Sequence, residues 1–450
     1  MNFENLKNVL AQALSEIGIS EYEIYYMSNI DTSVETLNRE VNAFNSGNRS
    51  GLCLRVVSNG KLGYASTELM EEREMRELAK RAADNAKYVE KPDTVGIYPG
   101  SVSYEESRVP EYSPMTAQEL KDYAKSIGDK LFEKSDNVEN GTSSQAVSAG
   151  FVIRIVNSHG LDLSNSCGVN VAVAEAVVKE GDEYQSAFAL EELRQGSADE
   201  AVDKVVAKAV DEALSKIGAD LVLSGKYNLV ISGKQMRSII SVFSSAFSAR
   251  QVLDGLSMLK GKLGEKIASD IVTITDDPQR EGNSIGTAFD AEGVATHRKA
   301  VVERGVLKTY LHNRETAMAM GTESTANASK GDYSSPVGIL PHSFCIEAGD
   351  KSFEELLLLA KDGIYITEVK GLHAGANPVT GDFSLESEGF MIENGKLGKA
   401  VKSFTVAGNF FTLINSIDAL GNKLERGVAT GFTGFGAPDI LVRDMSVAGK

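Results

Sequence analysis

Apolar residues recur at helical spacing from the start of the chain. Phe3, Leu6, Val9, Leu10, Ala13, Leu14 and Ile17 fall on one face, which predicts an amphipathic helix over 3–18. Strand-like segments follow from Glu21 to Thr67, then a helix over 70–88. The same order then recurs: a helix over 115–135, strand-like segments from Val138 to Leu193, and a helix over 199–218. Leu54-Arg55-Val56-Val57-Ser58-Asn59-Gly60 resembles Ile153-Arg154-Ile155-Val156-Asn157-Ser158-His159-Gly160, each an alternating strand running into a glycine turn. Internal duplication and convergence both account for this. Between the blocks, Tyr88 to Pro114 contains Pro92, Pro99, Pro110 and Pro114 and has no clear period, so it reads as a connector.

A second region begins near Gly225. Tyr227 to Ser232 reads as a short apolar strand and Gln235 to Phe247 as a helix. The strands expected after Ala268 are Asp270–Thr275, Gly293–Val302, Gly305–Leu311, Ser343–Ala348, Ile364–Lys370, Gly389–Glu393 and Lys399–Val406. Asn394-Gly395 marks a tight hairpin, and helices are expected over 352–362 and around Phe410–Ile417. From Gly321 to Pro341 the residues are small and polar, predicting a long surface loop. The expected class is α+β, with an N-terminal domain of helix and strand blocks over 1–220 and a strand-rich C-terminal domain over 221–450.

Composition sharpens this in three ways. Glycine is frequent (42) and proline scarce (9), which suits tight turns between strands. The net charge is −17 and no basic run occurs, which argues against nucleic-acid binding. Cys53, Cys167 and Cys345 are far apart and odd in number, pointing to buried free thiols. The N-terminus has no secretory pattern and no apolar run is long enough to span a membrane, so a cytoplasmic protein without membrane contact is expected.

The search for catalytic chemistry finds little. None of the five histidines (His159, His297, His312, His342, His373) lies within two helical turns of another, so helical spacing supplies no pair of zinc ligands, and lone histidines at turns or on the surface are the expectation. Gly282-Asn283-Ser284-Ile285-Gly286 matches GxSxG, but a polar segment precedes it and no helix follows. Gly434-Phe435-Gly436 leads into a strand, which excludes a phosphate-cradling helix start. Asp276-Asp277-Pro278 and Thr380-Gly381-Asp382-Phe383-Ser384 read first as turns.

Several segments of the second half together resemble the TldD/PmbA family, and within it the TldE (PmbA) branch. They are Gly286-Thr287-Ala288-Phe289-Asp290-Ala291-Glu292-Gly293-Val294, Gly305-Val306-Leu307-Lys308-Thr309-Tyr310-Leu311, Thr367-Glu368-Val369-Lys370-Gly371, Pro378 to Ser384, Glu388 to Gly395, Val406-Ala407-Gly408-Asn409 and the terminal Met445 to Lys450. The resemblance implies a two-domain α+β protein that pairs in the cytosol. Its TldD branch holds zinc through a His-Glu-x-x-x-His helix and a cysteine near the C-terminus, and cleaves unfolded or small peptides. TldE-like chains lack those ligands. The family is also linked to maturation of a modified peptide microcin, turnover of an antitoxin and modulation of DNA gyrase.

Aligned through Leu263 to Ser269, the degenerate metal positions fall near Ser241, Val242 and Ala246. No His, Cys, Asp or Glu occurs from Gly233 to Gln251, and no cysteine follows Cys345. The expectation is a non-catalytic subunit without a cofactor of its own, zinc belonging to a TldD-like partner, and an extended peptide as substrate. A homodimer of the isolated chain is a further expectation. His373, Gly375 and Asn377 are candidates for substrate or partner contact. The rival readings are a standalone hydrolase with an unrecognised site and a protein-binding module of the gyrase-modulator type.

Overall fold

The structure is a computed structural model and describes residues 2–90, 95–106, 108–429 and 431–450. Pro92 of the expected connector lies outside the described residues.

The N-terminal part runs α1 (Phe3–Glu16), β1 (Glu21–Leu37), β2 (Glu40–Ser58), β3 (Lys61–Thr67), α2 (Glu72–Lys87), α3 (Ala117–Lys134), β4 (Ser143–Asn157), β5 (Asp162–Glu180), β6 (Glu183–Glu192) and α4 (Ala198–Ser215). Its six strands form one antiparallel sheet of order β3-β2-β1-β4-β5-β6. Each helix–strands–helix block therefore supplies three strands, and the first strands of the two blocks, β1 and β4, meet in the middle. All four helices cover one face. Leu10, Leu14, Leu78 and Ala82 of α1 and α2 pack on Ile24, Leu52 and Leu54. Leu120, Ile127, Val202 and Val205 of α3 and α4 pack on Ala146, Ala172, Ala174 and Ala176. The alanines let α4 lie close to the strands. Thr116 and Glu119 close a capping box that starts α3.

The C-terminal part runs β7 (Asp220–Leu221), β8 (Gly225–Ile231), α5 (Gly233–Phe243), a 3-10 turn (Ser244–Phe247), α6 (Ala249–Leu253), β9 (Ile274–Asp276), β10 (Lys299–Glu303), β11 (Val306–Leu307), α7 (Arg314–Met320), β12 (Ala328–Ser329), β13 (Gly338–Ile339) and β14 (Ser343–Ile346). It continues with α8 (Phe353–Ala360), β15 (Gly363–Lys370), α9 (Leu372–Gly375), β16 (Asp382–Glu393), β17 (Lys396–Asn409), α10 (Phe410–Asn415), β18 (Ile417–Leu420), β19 (Glu425–Arg426), β20 (Gly434–Ala437) and β21 (Ile440–Ala448). A mixed sheet of order β18-β21-β8-β15-β16-β17-β7 and a second of order β11-β10-β9-β14-β20-β19 enclose one core with α5, α10 and the 3-10 turn, including Phe243, Phe247, Phe344, Phe404 and Phe410. Asn394 and Gly395, at φ 51° and 74°, make the β16–β17 turn that the sequence marks.

Three expectations change. Between Asp270 and Val302 the chain is mostly irregular, with only Ile274–Asp276 and Lys299–Glu303 as strands, because side chains there replace ladder bonds. Asp290 Oδ1 accepts the N–H groups of Glu292 and Val294, and Oδ2 accepts that of Ala328. The segment Gly321–Pro341 is not wholly a surface loop. Ala326, Asn327, Ala328 and Lys330 are buried, β12 pairs with β13, and Tyr333 packs over Gly51 of β2 and donates to Glu68. Of the histidines, His312 is buried and His342 half-buried, neither standing free at the surface. His342 Nε2 donates to the Ala326 carbonyl at 2.7 Å.

Candidate functional site

Ser232 caps α5, and Met236, Ile239, Ile240 and Phe243 turn its inner face to the core, where Phe243 stacks on Phe410 at 4.6 Å. Lys234, Arg237, Ser238, Ser241 and Val242 form the other face. The serine hydroxyls there return to the helix itself. Ser238 donates to the Lys234 carbonyl, Ser241 to Ser238 and Ser244 to Ser241. Val242 is half-buried against the core, and Ala246 is buried in the 3-10 turn. Ser241, Val242 and Ala246 thus offer no imidazole, thiolate or carboxylate, and this donor set does not fit a zinc ion. Cys345 lies buried in β14 against Gly436, and burial pushes its thiol up. Among the described residues, no group of three or more His, Cys, Asp or Glu is placed to hold a metal ion.

Alpha-helix α9 packs against α5 and β16 and carries His373 on an exposed position. A Cβ on Gly375 would lie 2.3 Å from the Ser384 carbonyl oxygen, so this glycine serves a close approach within the chain. Asn377 Oδ1 accepts the N–H groups of Val379 and Thr380, closing the turn that leads into β16. Gly375→Ala is expected to cost about 1–3 kcal/mol through this clash, read as a lowered melting temperature.

Ser284 of the GxSxG match lies in an irregular loop and donates to Glu192 of β6 at 2.6 Å, with no strand–turn–helix around it.

The densest chemistry lies where the uncovered face of the N-terminal sheet meets the C-terminal part. Tyr25, Cys53 and Ile153 pack there on Phe289, Ala291 and Ala328. Two charged groups share this face as cross-strand neighbours: Glu23 of β1 and Arg55 of β2, 3.2 Å apart and almost wholly buried. Burial pushes the Glu23 carboxyl up, against the opposing pull of Arg55. The Lys330 ammonium lies 4.8 Å from the Tyr25 ring centre, and burial pushes it down. Burial, then Glu292 beside it, pushes the Asp290 carboxyl up to about 8.

Behind this layer, Asp276 is completely buried. It accepts from Lys299 Nζ (3.1 Å), the Asn327 amide, and the N–H groups of His342 and Ser343. Burial alone would raise its carboxyl, but Lys299, His342 and these donors hold it well below the usual carboxylate range. Asp276 is thus the last residue of β9, with the turn starting only at Pro278, and its strong partners are all protein groups.

Models of the PmbA/TldA metallopeptidase domain 1, central domain and C-terminal domain match residues 22–86, 110–217 and 224–449. The chain belongs to the PmbA/TldD family. A Thermotoga maritima family structure, named for a proposed role in modulating a DNA gyrase, superposes with a TM-score of 0.89 at 30% identity, covering 99% of this chain and 100% of its own. TldE from Thermococcus kodakarensis shares the fold, with a TM-score of 0.84, 24% identity and coverage of 98% and 99%. The metalloprotease PmbA of Escherichia coli O157:H7 is 24% identical over 95% of this chain and 92% of its own length.

Within this PmbA/TldD chain, sequence reasoning missed the buried cluster of Glu23, Arg55, Asp290, Glu292 and Lys330. A signal was present. Tyr22-Glu23-Ile24 and Leu54-Arg55-Val56 each put a charge inside an otherwise apolar strand stretch, and two such charges suit adjacent strands.

Proposed function

We propose that this chain is a non-catalytic, peptide-handling subunit that pairs in the cytoplasm with a zinc-bearing member of the same family. The carrying observation is the outer face of α5. Ser238 and Ser241 there donate to carbonyls of their own helix, and the whole stretch from Gly233 to Gln251 lacks any residue able to bind zinc tightly. The fold around that face is otherwise complete, and the likeness to a TldE structure supports the subunit role. An extended peptide suits the open strand edge of the N-terminal sheet. The outer side of β2 from Glu40 to Gly51 has no ladder partner among the described residues, since β3 pairs only with Leu52–Ser58. No helix among the described residues is long and apolar enough to cross a membrane.

The test combines elemental analysis with peptide cleavage. The purified chain is expected to hold far less than about one zinc per molecule and to cleave nothing alone. Mixed with a family member that carries the His-Glu-x-x-x-His helix, it is expected to form a complex burying at least about 1,000 Å² and to raise cleavage. Stoichiometric zinc in this chain, or full activity of the zinc-bearing chain by itself, overturns the reading.

A further inference from the structure

The seam between the two parts holds a partly open cavity of about 30 Å³, room for about two water molecules. Tyr25 and Ile153 wall it from the N-terminal sheet, and Phe289, Ala328, Lys330 and Phe432 from the C-terminal part. Nζ of Lys330, which lines it, is buried with no hydrogen-bond partner, and on the same sheet face the Glu23 carboxylate oxygens and Nε of Arg55 are likewise without one, apart from the Glu23–Arg55 ion pair. Orphaned buried atoms are rare, and a group of them in one place marks a missing occupant. Lys330 is only 6% exposed.

We propose that this cavity binds one small monovalent anion, a halide or a formate-sized carboxylate, held by the Lys330 ammonium. The Lys330 ammonium at the cavity wall, not the cluster's summed charge, favours an anion over water alone. Glu23 is matched by Arg55 at 3.2 Å, whereas no acidic side chain forms an ion pair with Lys330 among the described residues. An unpaired ammonium out of water is costly, and an anion beside it offsets that cost. The Asp290 carboxyl does not supply the charge: it forms no ion pair with Lys330, and burial and then Glu292 beside it push it up to about 8, so that it is mostly protonated at neutral pH. Size sets the upper limit. A cavity for about two waters admits a halide or formate and excludes sulfate and larger carboxylates. Because its walls come from both parts of the chain, the bound ion would join them, so its loss is expected to loosen the seam. This inference is independent of the subunit reading and survives its failure.

The experiment uses the full chain prepared in sodium gluconate, whose anion is too large for the cavity. Thermal melting is followed while gluconate is replaced by bromide, or by formate, at constant ionic strength. At least one of the two is expected to raise the melting temperature by a few degrees, with saturation. A response to bromide alone assigns a halide site, and a response to formate assigns a carboxylate site. Lys330→Met is expected to weaken the response at least tenfold. Equal responses in the wild type and this variant, or none in the wild type, overturn the proposal. Should the variant fail to fold, wild-type crystals soaked in bromide give the answer through anomalous scattering. A bromine peak beside Lys330 is expected, and water only in a bromide-soaked and a formate-soaked cavity overturns the proposal.

Discussion

Lys299→Met is expected to destabilise the protein by about 3–5 kcal/mol, because it leaves the Asp276 charge buried without its cation. Asp276 is 0% exposed and Lys299 8%, and their contact of 3.1 Å joins β9 to β10 directly under the segment that forms the seam. Urea unfolding of the variant measures the loss. The double variant Asp276→Asn with Lys299→Met is expected to recover part of it, since the uncompensated charge is gone. The pH dependence has a definite sign. The folded Asp276 carboxyl is held below its unfolded value, so its stabilisation is complete above about pH 4 and is lost as pH falls through the depressed value. Without Lys299, burial dominates and the carboxyl rises. Acid unfolding of Lys299→Met is therefore expected to begin at higher pH than in the wild type, as followed by circular dichroism. An unchanged acid transition would show that the other donors to Asp276 suffice.

Gly389→Ala is the second large effect. Gly389 lies between Ile366 of β15 and Val401 of β17, and a Cβ there would be 1.8 Å from the Tyr365 carbonyl oxygen. That atom is backbone in the middle of a sheet and cannot swing aside, so β15 and β16 must part locally. A loss of about 3 kcal/mol or more is expected in chemical denaturation. The damage should reach α5, because β16 supplies Phe383, whose ring lies 6.4 Å from that of Phe243. A variant that melts like the wild type would mean that the strand can shift register here at little cost.

What the sequence discloses about this protein follows from the range of its interactions. The four long helices and the β16–β17 hairpin are local: a one-sided apolar stripe, a capping box at Thr116, an Asn-Gly turn. They are legible because neighbours in sequence determine them. The segment from Gly293 to Arg298 reads as strand in the sequence, but the N–H groups of Glu292 and Val294 go to Asp290, whose remaining partner, Ala328, lies far along the chain. The lack of zinc ligands on α5 needed only a reading of residue types. The seam cluster needed the fold, since Glu23, Arg55 and Lys330 are brought together by three separate elements. For Gly375 and Asn377, the sequence marks a tight segment but not the strand that each of them serves.

The central pairing of the N-terminal sheet, from Glu23↔Asn157 to Leu37↔Ser143, has a consequence for how the chain tolerates being divided. Each block offers its first strand to the other. Separated, each would bare a long, untwisted-back row of amide and carbonyl groups on a strand meant for the interior of a sheet. A fragment ending between α2 and α3 is therefore poorly suited to life as an independent soluble unit. Its β1 would find the β1 of another copy, or the β4 of an intact chain, and precipitation or strand exchange between molecules would follow. Proteolytic nicking in the connector is a different matter, because the two pieces remain zipped together by that same ladder.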